Sequence, residues 1–153
     1  MRLHETFIRT AKRYEKKLAI IDRATNQRVT YRAVLLRALI LAEKLKSCDD
    51  GFVGIMVPTS AGCIYAMLAV LISGRTPVMI NYSTGAAENC RDAQRRLAFR
   101  TVLTSRALLD RIKCPVLDGM ISGGLVTLEK VRVLHYRGTI VPPGPSPASP
   151  DRR

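Results

Sequence analysis

Residues 52–109 read FVGIMVPTSAGCIYAMLAVLISGRTPVMINYSTGAAENCRDAQRRLAFRTVLTSRALL. Three short apolar runs, Phe52–Val57, Thr76–Ile80 and Thr101–Leu103, alternate there with two longer segments of helical pattern. A strand buried on both faces reads as continuous apolar sequence, and its parallel neighbour is reached only through a crossover helix. The alternation therefore predicts βαβ units: an α/β fold with an open, mostly parallel sheet and flanking helices.

The punctuation agrees. Pro58 stops the first run, because it offers no N–H to a ladder. Thr59 or Ser60 is placed to cap the next helix, and residues 61–72 are apolar on nearly every side, as between a sheet and another layer. Ser73-Gly74 ends that helix and Arg75-Thr76-Pro77 lead into the strand Val78–Ile80. Ala86–Leu97 forms the following helix, with Ala87, Cys90, Ala93, Gln94 and Leu97 inward. Ser105 caps a last helix that runs to about Lys113.

Upstream, His4–Lys17 places Phe7, Ile8, Ala11 and Tyr14 at helical spacing opposite basic residues, an amphipathic opening helix. Leu18–Asp22 and Val29–Tyr31 flank the polar turn Thr25-Asn26-Gln27 and predict a hairpin. Thr30 then caps a helix from Tyr31 to about Lys46, with Leu35, Ala38, Leu39, Ala42 and Leu45 on its inner stripe. Asp49-Asp50-Gly51 ends it. The expected order is α–ββ–α–β–α–β–α–β–α.

Beyond Cys114-Pro115 the character changes. Leu125–Leu128 is a candidate further strand. Residues 142–153, PPGPSPASPDRR, hold five prolines in twelve positions and read as a disordered tail. Three regions follow: a domain over 1–118, a divergent extension over 119–141 and the tail over 142–153.

With 153 residues and 47% hydrophobic content, the chain is long enough for one domain with a real core. The charged N-terminus lacks the apolar region of a signal peptide. The longest apolar run, Cys63–Ile72, is roughly half of what a membrane span needs. No transmembrane segment is expected. Cys48, Cys63, Cys90 and Cys114 form no C-x-x-C pair, which argues against a metal site or a disulfide framework and for a reducing, cytoplasmic setting.

The net charge is +13, with 12 Lys/Arg against 6 Asp/Glu in residues 1–50 and 7 against 2 in residues 91–113. A pI near 10.3 permits an anionic partner. A solvated basic face is the plainer reading. Nucleic acid ranks behind it, because no RNP or zinc-finger motif accompanies the charge.

In α/β folds ligands gather at the carboxyl edge of the sheet, here the loops Pro58–Gly62 and Asn81–Gly85. The second, NYSTG, lacks the repeated glycines and the lysine of a phosphate loop and reads as a turn capped by Ser83 or Thr84. His4 is expected to be exposed, and His135 has no carboxylate or nucleophile beside it in sequence. Cys48 and Cys114 are candidates for reactivity only if exposed. Asp49 and Asp50 read as a solvated loop. No catalytic, cofactor-binding or metal-ligating residue is assigned.

The phrases VGIMVP (53–58), LAVLISGRTPVMINYSTG (68–85) and RTVLTSRALL (100–109) resemble the N-terminal part of the AMP-forming acyl ligases. Within that family they are most similar to acyl–acyl-carrier-protein synthetases, including those fused to a lysophospholipid acyltransferase. The resemblance runs over about residues 5–118. It implies a parent activity that joins a fatty acid to acyl-carrier protein or coenzyme A, with ATP and Mg as cofactors. It also implies a Ser/Thr/Gly-rich loop ending in Gly-x-Pro-Lys for the phosphates, because such chemistry proceeds by positioning and charge neutralisation. That loop and the family's later motifs do not occur in this sequence. The expectation is an N-terminal ligase fragment, inactive alone, whose tail arises past a frameshift or early stop. Its expected partners are the missing ligase remainder, acyl-carrier protein met by a basic face including Arg91, Arg95, Arg96 and Arg100, or a second copy of itself.

Overall fold

The computed structural model describes residues 2–48 and 51–112, and residues 131–135 in backbone alone. The expected strand at Leu125–Leu128, the loop Asp49-Asp50, Cys114 and the proline-rich tail lie outside the described residues.

The opening helix α1 (Leu3–Arg13) is followed by a hairpin of β1 (Leu18–Asp22) and β2 (Gln27–Thr30), then α2 (Tyr31–Leu45). The βαβ core comprises β3 (Phe52–Met56), α3 (Ala61–Ile72), β4 (Thr76–Met79), α4 (Ala86–Leu97), β5 (Thr101–Ser105) and α5 (Arg106–Ile112). A further strand, β6 (Val131–His135), was not foreseen. The larger sheet has the order β4-β3-β5-β6, parallel across its first three strands and antiparallel between β5 and β6.

Period-two alternation on the central strand divides the core. Val53, Ile55 and Val57 face a layer made by α2 and α3 through Leu41, Leu45, Ala66 and Val70. Met56 faces the opposite layer with Ile80, Cys90, Phe99 and Leu108. All five residues of β5 are buried, as a strand covered on both faces demands. Each such aliphatic side chain contributes about 1.5–3 kcal/mol by leaving water. Gly54 fills the one place on β3 where no side chain fits: a Cβ there would lie 2.8 Å from Phe99 and 2.9 Å from Ile80.

The caps form largely as the sequence predicts. Ala33 N–H donates to Thr30 Oγ1 at 3.4 Å, Cys63 N–H to Ser60 Oγ at 3.4 Å, and Leu108 N–H to Ser105 Oγ at 3.2 Å. Three expectations change. The buried stripe of α2 is Val34, Ala38, Leu41, Ala42 and Leu45, while Leu39 is 43% exposed. This helix is apolar almost all round, so periodicity does not fix its phase. The turn into α4 is capped by neither Ser83 nor Thr84; Gly85 occupies the cap in the left-handed region (φ +62). Tyr31 begins α2 rather than ending the hairpin. β1 also carries a bulge at Ala19, since Leu18 pairs with Thr30 and Ile20 with Val29.

Candidate functional site

The chain leaves β3 for β4 on one side and then crosses to β5 on the other. Strand order thus reverses between β3 and β5, and the loops at their carboxyl ends diverge and leave a crevice. A cleft of about 200 Å³ opens there, lined by Asp22 and Thr25 of the hairpin, Pro58 and Ser60 after β3, Tyr65 of α3 and Ser105 of β5.

Asp22 organises this edge. It retains 7% of its exposure, and its Oδ2 accepts from Ala61 N–H at 2.9 Å, the first turn of α3. Its Oδ1 accepts from Ala24 N–H at 3.0 Å and Thr25 N–H at 3.2 Å. The Ala61 N–H above all holds the carboxyl below its ordinary range, helped by Thr25 and Ala24 against the opposing effect of burial. The hairpin therefore carries its own anion to the positive end of a helix. The wall behind it is fixed by Arg37, whose Nη1 donates to the Tyr65 hydroxyl at 2.8 Å while its guanidinium lies 5.3 Å from the ring centroid.

The hydroxyls of the cleft are engaged locally. Ser60 Oγ donates to Pro58 O at 3.0 Å as well as capping α3, and Ser105 Oγ accepts from Leu108 N–H. No lysine, arginine or histidine lines the cleft among the described residues. No cluster of three or more His, Cys, Asp or Glu able to hold a metal occurs among them either. Among the described lining residues no cation stands beside the Asp22 carboxylate at the α3 N-terminus to neutralise ATP phosphates.

Of the two loops singled out by sequence, the structure brings Pro58–Gly62 into this cleft and leaves Asn81–Gly85 outside it. The second loop is tied by its own side chains. Ser83 N–H and Oγ donate to Asn81 Oδ1 at 2.9 and 2.7 Å, and Asn89 Nδ2 donates to Thr84 O at 2.7 Å. Cys48 is buried, which removes the condition for its reactivity. Cys63 is half-buried and burial pushes its thiol up, away from the thiolate. His4 is half-buried rather than exposed. His135 lies on β6, where the structure describes backbone alone. Sequence reading missed Asp22. An aspartate closing a strand before a turn does signal the bonds to Ala24 and Thr25, but the contact with Ala61 spans 39 positions and has no local signature.

A sequence model of the AMP-binding enzyme family matches residues 7–130. The fold is similar to that of IdnL7, at 28% identity and a TM-score of 0.63 over 76% of this chain. It is similar also to a benzoate CoA ligase from Burkholderia xenovorans LB400, at 21% identity and a TM-score of 0.65 over 77% of the chain. The N-terminal domain of FACL13 from Mycobacterium tuberculosis matches at 19% identity and a TM-score of 0.65 over 76%. The chain spans 22%, 24% and 29% of the lengths of those three structures. The described α/β fold matches part of the N-terminal domain of adenylate-forming ligases. The chain belongs to the AMP-binding enzyme family, of whose ligase domain it forms a fragment.

Proposed function

We propose that these residues are the opening portion of a ligase that activates a fatty acid with ATP and passes the acyl group to a thiol of acyl-carrier protein or coenzyme A. The family match over residues 7–130 carries this reading. The acyl and carrier-protein specificity draws only on the likeness of residues 74–85 and 101–109 to acyl–acyl-carrier-protein synthetases. In this reading the chain supplies part of the sheet and one wall of the domain, while ATP and Mg2+ are held by residues beyond these 153. The fixed Asp22 carboxylate and the absence of a Gly-x-Pro-Lys phosphate loop from the sequence support that division.

The test is ATP–pyrophosphate exchange with Mg2+ and a fatty acid. The purified chain is expected to give background exchange, and adding a separately expressed remainder of the family domain is expected to raise it. Fatty-acid-dependent exchange by the chain alone would overturn the division of labour. Exchange restored with an aromatic acid but not with a fatty acid would overturn the acyl specificity.

A further inference from the structure

We propose that the groove between α1 and the β1 strand is a docking site for an acidic amphipathic helix of a partner protein, a reading independent of the ligase assignment. The groove measures about 330 Å³ and is lined by Leu3, Thr6, Phe7, Ile20, Val34 and Ile64, among others. Its threonines behave as apolar residues. Thr6 Oγ1 donates to Arg2 O at 3.2 Å and Thr10 Oγ1 to Thr6 O at 2.9 Å, so both hydroxyls are spent on their own helix. Leu3 at the mouth is 62% exposed.

The rim is cationic. Arg2, Arg9 and Arg13 recur at i, i+7 and i+11, roughly a quarter-turn from the stripe Leu3–Thr6–Phe7–Thr10. Residues 2–17 hold six Lys/Arg against Glu5 and Glu15. No ion pair among the described residues engages Arg9 or Arg13. Arg13 and Lys17 lie over the Tyr14 ring, 5.3 and 4.6 Å from its centroid, which steadies the positive end of the row.

Charge and shape select the occupant. The arginine row extends about 16 Å, three helical turns, longer than a single anionic head group and matched to carboxylates repeating along a helix. A second copy of the chain would bring a further +13 and be repelled. The basic face of α4 is a weaker candidate for the same partner: Glu88 and Asp92 interrupt it, and Asp92 pairs with Arg95 at 3.7 Å.

The probe is a fluorescent peptide of about 15 residues with leucines at i, i+3, i+4 and i+7 and glutamates elsewhere, titrated against the full chain by anisotropy. Saturable binding that weakens with salt and falls about tenfold in Arg9→Glu/Arg13→Glu is expected. Arg91→Glu/Arg96→Glu on α4 should leave it within about twofold. If the α1 double variant loses its cooperative melt, Leu3→Glu at the exposed mouth is expected to weaken binding instead. Equal binding of a scrambled peptide, an equal loss in the α4 variant, or binding to phosphatidylglycerol vesicles without binding to the peptide would each overturn the proposal.

Discussion

At the scale of single residues, Asp22 joins the hairpin to the α/β core. Its carboxylate is held below the ordinary range by the Ala61 N–H, so it stabilises the fold fully above the unfolded-chain value and loses that contribution as pH falls through the folded one. Asp22→Asn is therefore expected to lower the urea midpoint at neutral pH. The gap from the parent should close as pH drops below about 4. Parallel midpoint curves across that window would show that the charge contributes nothing. Gly54 makes a complementary point. It is a small residue in an apolar run, and its necessity comes from Phe99 and Ile80, which approach it from other elements.

Among the elements, α4 shows how the ends of a helix are decided. It begins at a left-handed glycine, Gly85, and closes at Ala98 with φ +54, whose N–H donates to Gln94 O at 2.8 Å. An alanine in that region carries a Cβ penalty of about 1–2 kcal/mol. It is tolerated because the turn delivers Phe99, 1% exposed, into the layer beneath β3. Ala98→Gly is expected to stabilise by about 0.5–1 kcal/mol net, read from the shift in denaturant midpoint at unchanged slope. A loss of stability would mean that the alanine methyl has a packing role. The cap residues Thr30, Ser60 and Ser105 were legible because side-chain capping is local. The phase of α2 was not. A helix apolar at Leu35, Leu36, Leu39, Ile40 and Leu41 satisfies several stripes, and only the position of α3 chooses Val34, Ala38, Leu41 and Leu45.

For the molecule as a whole, the sheet has one edge at β4, which among the described strands pairs on one side alone. Thr76 N–H and Ile80 N–H donate to Gly51 O and Ile55 O, both at 2.9 Å, so the intervening odd positions turn outward. One of them is Pro77, which has no N–H to offer. An open strand edge invites pairing with another chain, and this one is blunted by its own sequence. Pro77→Thr is expected to raise the weight-average mass in sedimentation at a concentration where the parent does not change. An unaltered mass would show that edge pairing is not what Pro77 restrains. The apolar residues Leu36, Leu39 and Ile40 on the outer side of α2 remain exposed. No described helix is long and apolar enough to cross a membrane.

The sequence by itself determined the βαβ rhythm, the side-chain caps at Thr30, Ser60 and Ser105, and the family. Those depend on contacts within a few residues, on period, and on phrases such as GRTPVMINYSTG. The loop after the first βαβ strand was also marked as part of the ligand edge, since chain direction alone places it there. Only tertiary structure decided which of the two loops meets the hairpin, that Asp22 seats on α3, and that β6 runs antiparallel along β5. Those outcomes depend on elements far apart in the chain being brought together by burial. Hydrophobic burial is non-directional, so sequence pattern specifies that a face is covered but not by which partner.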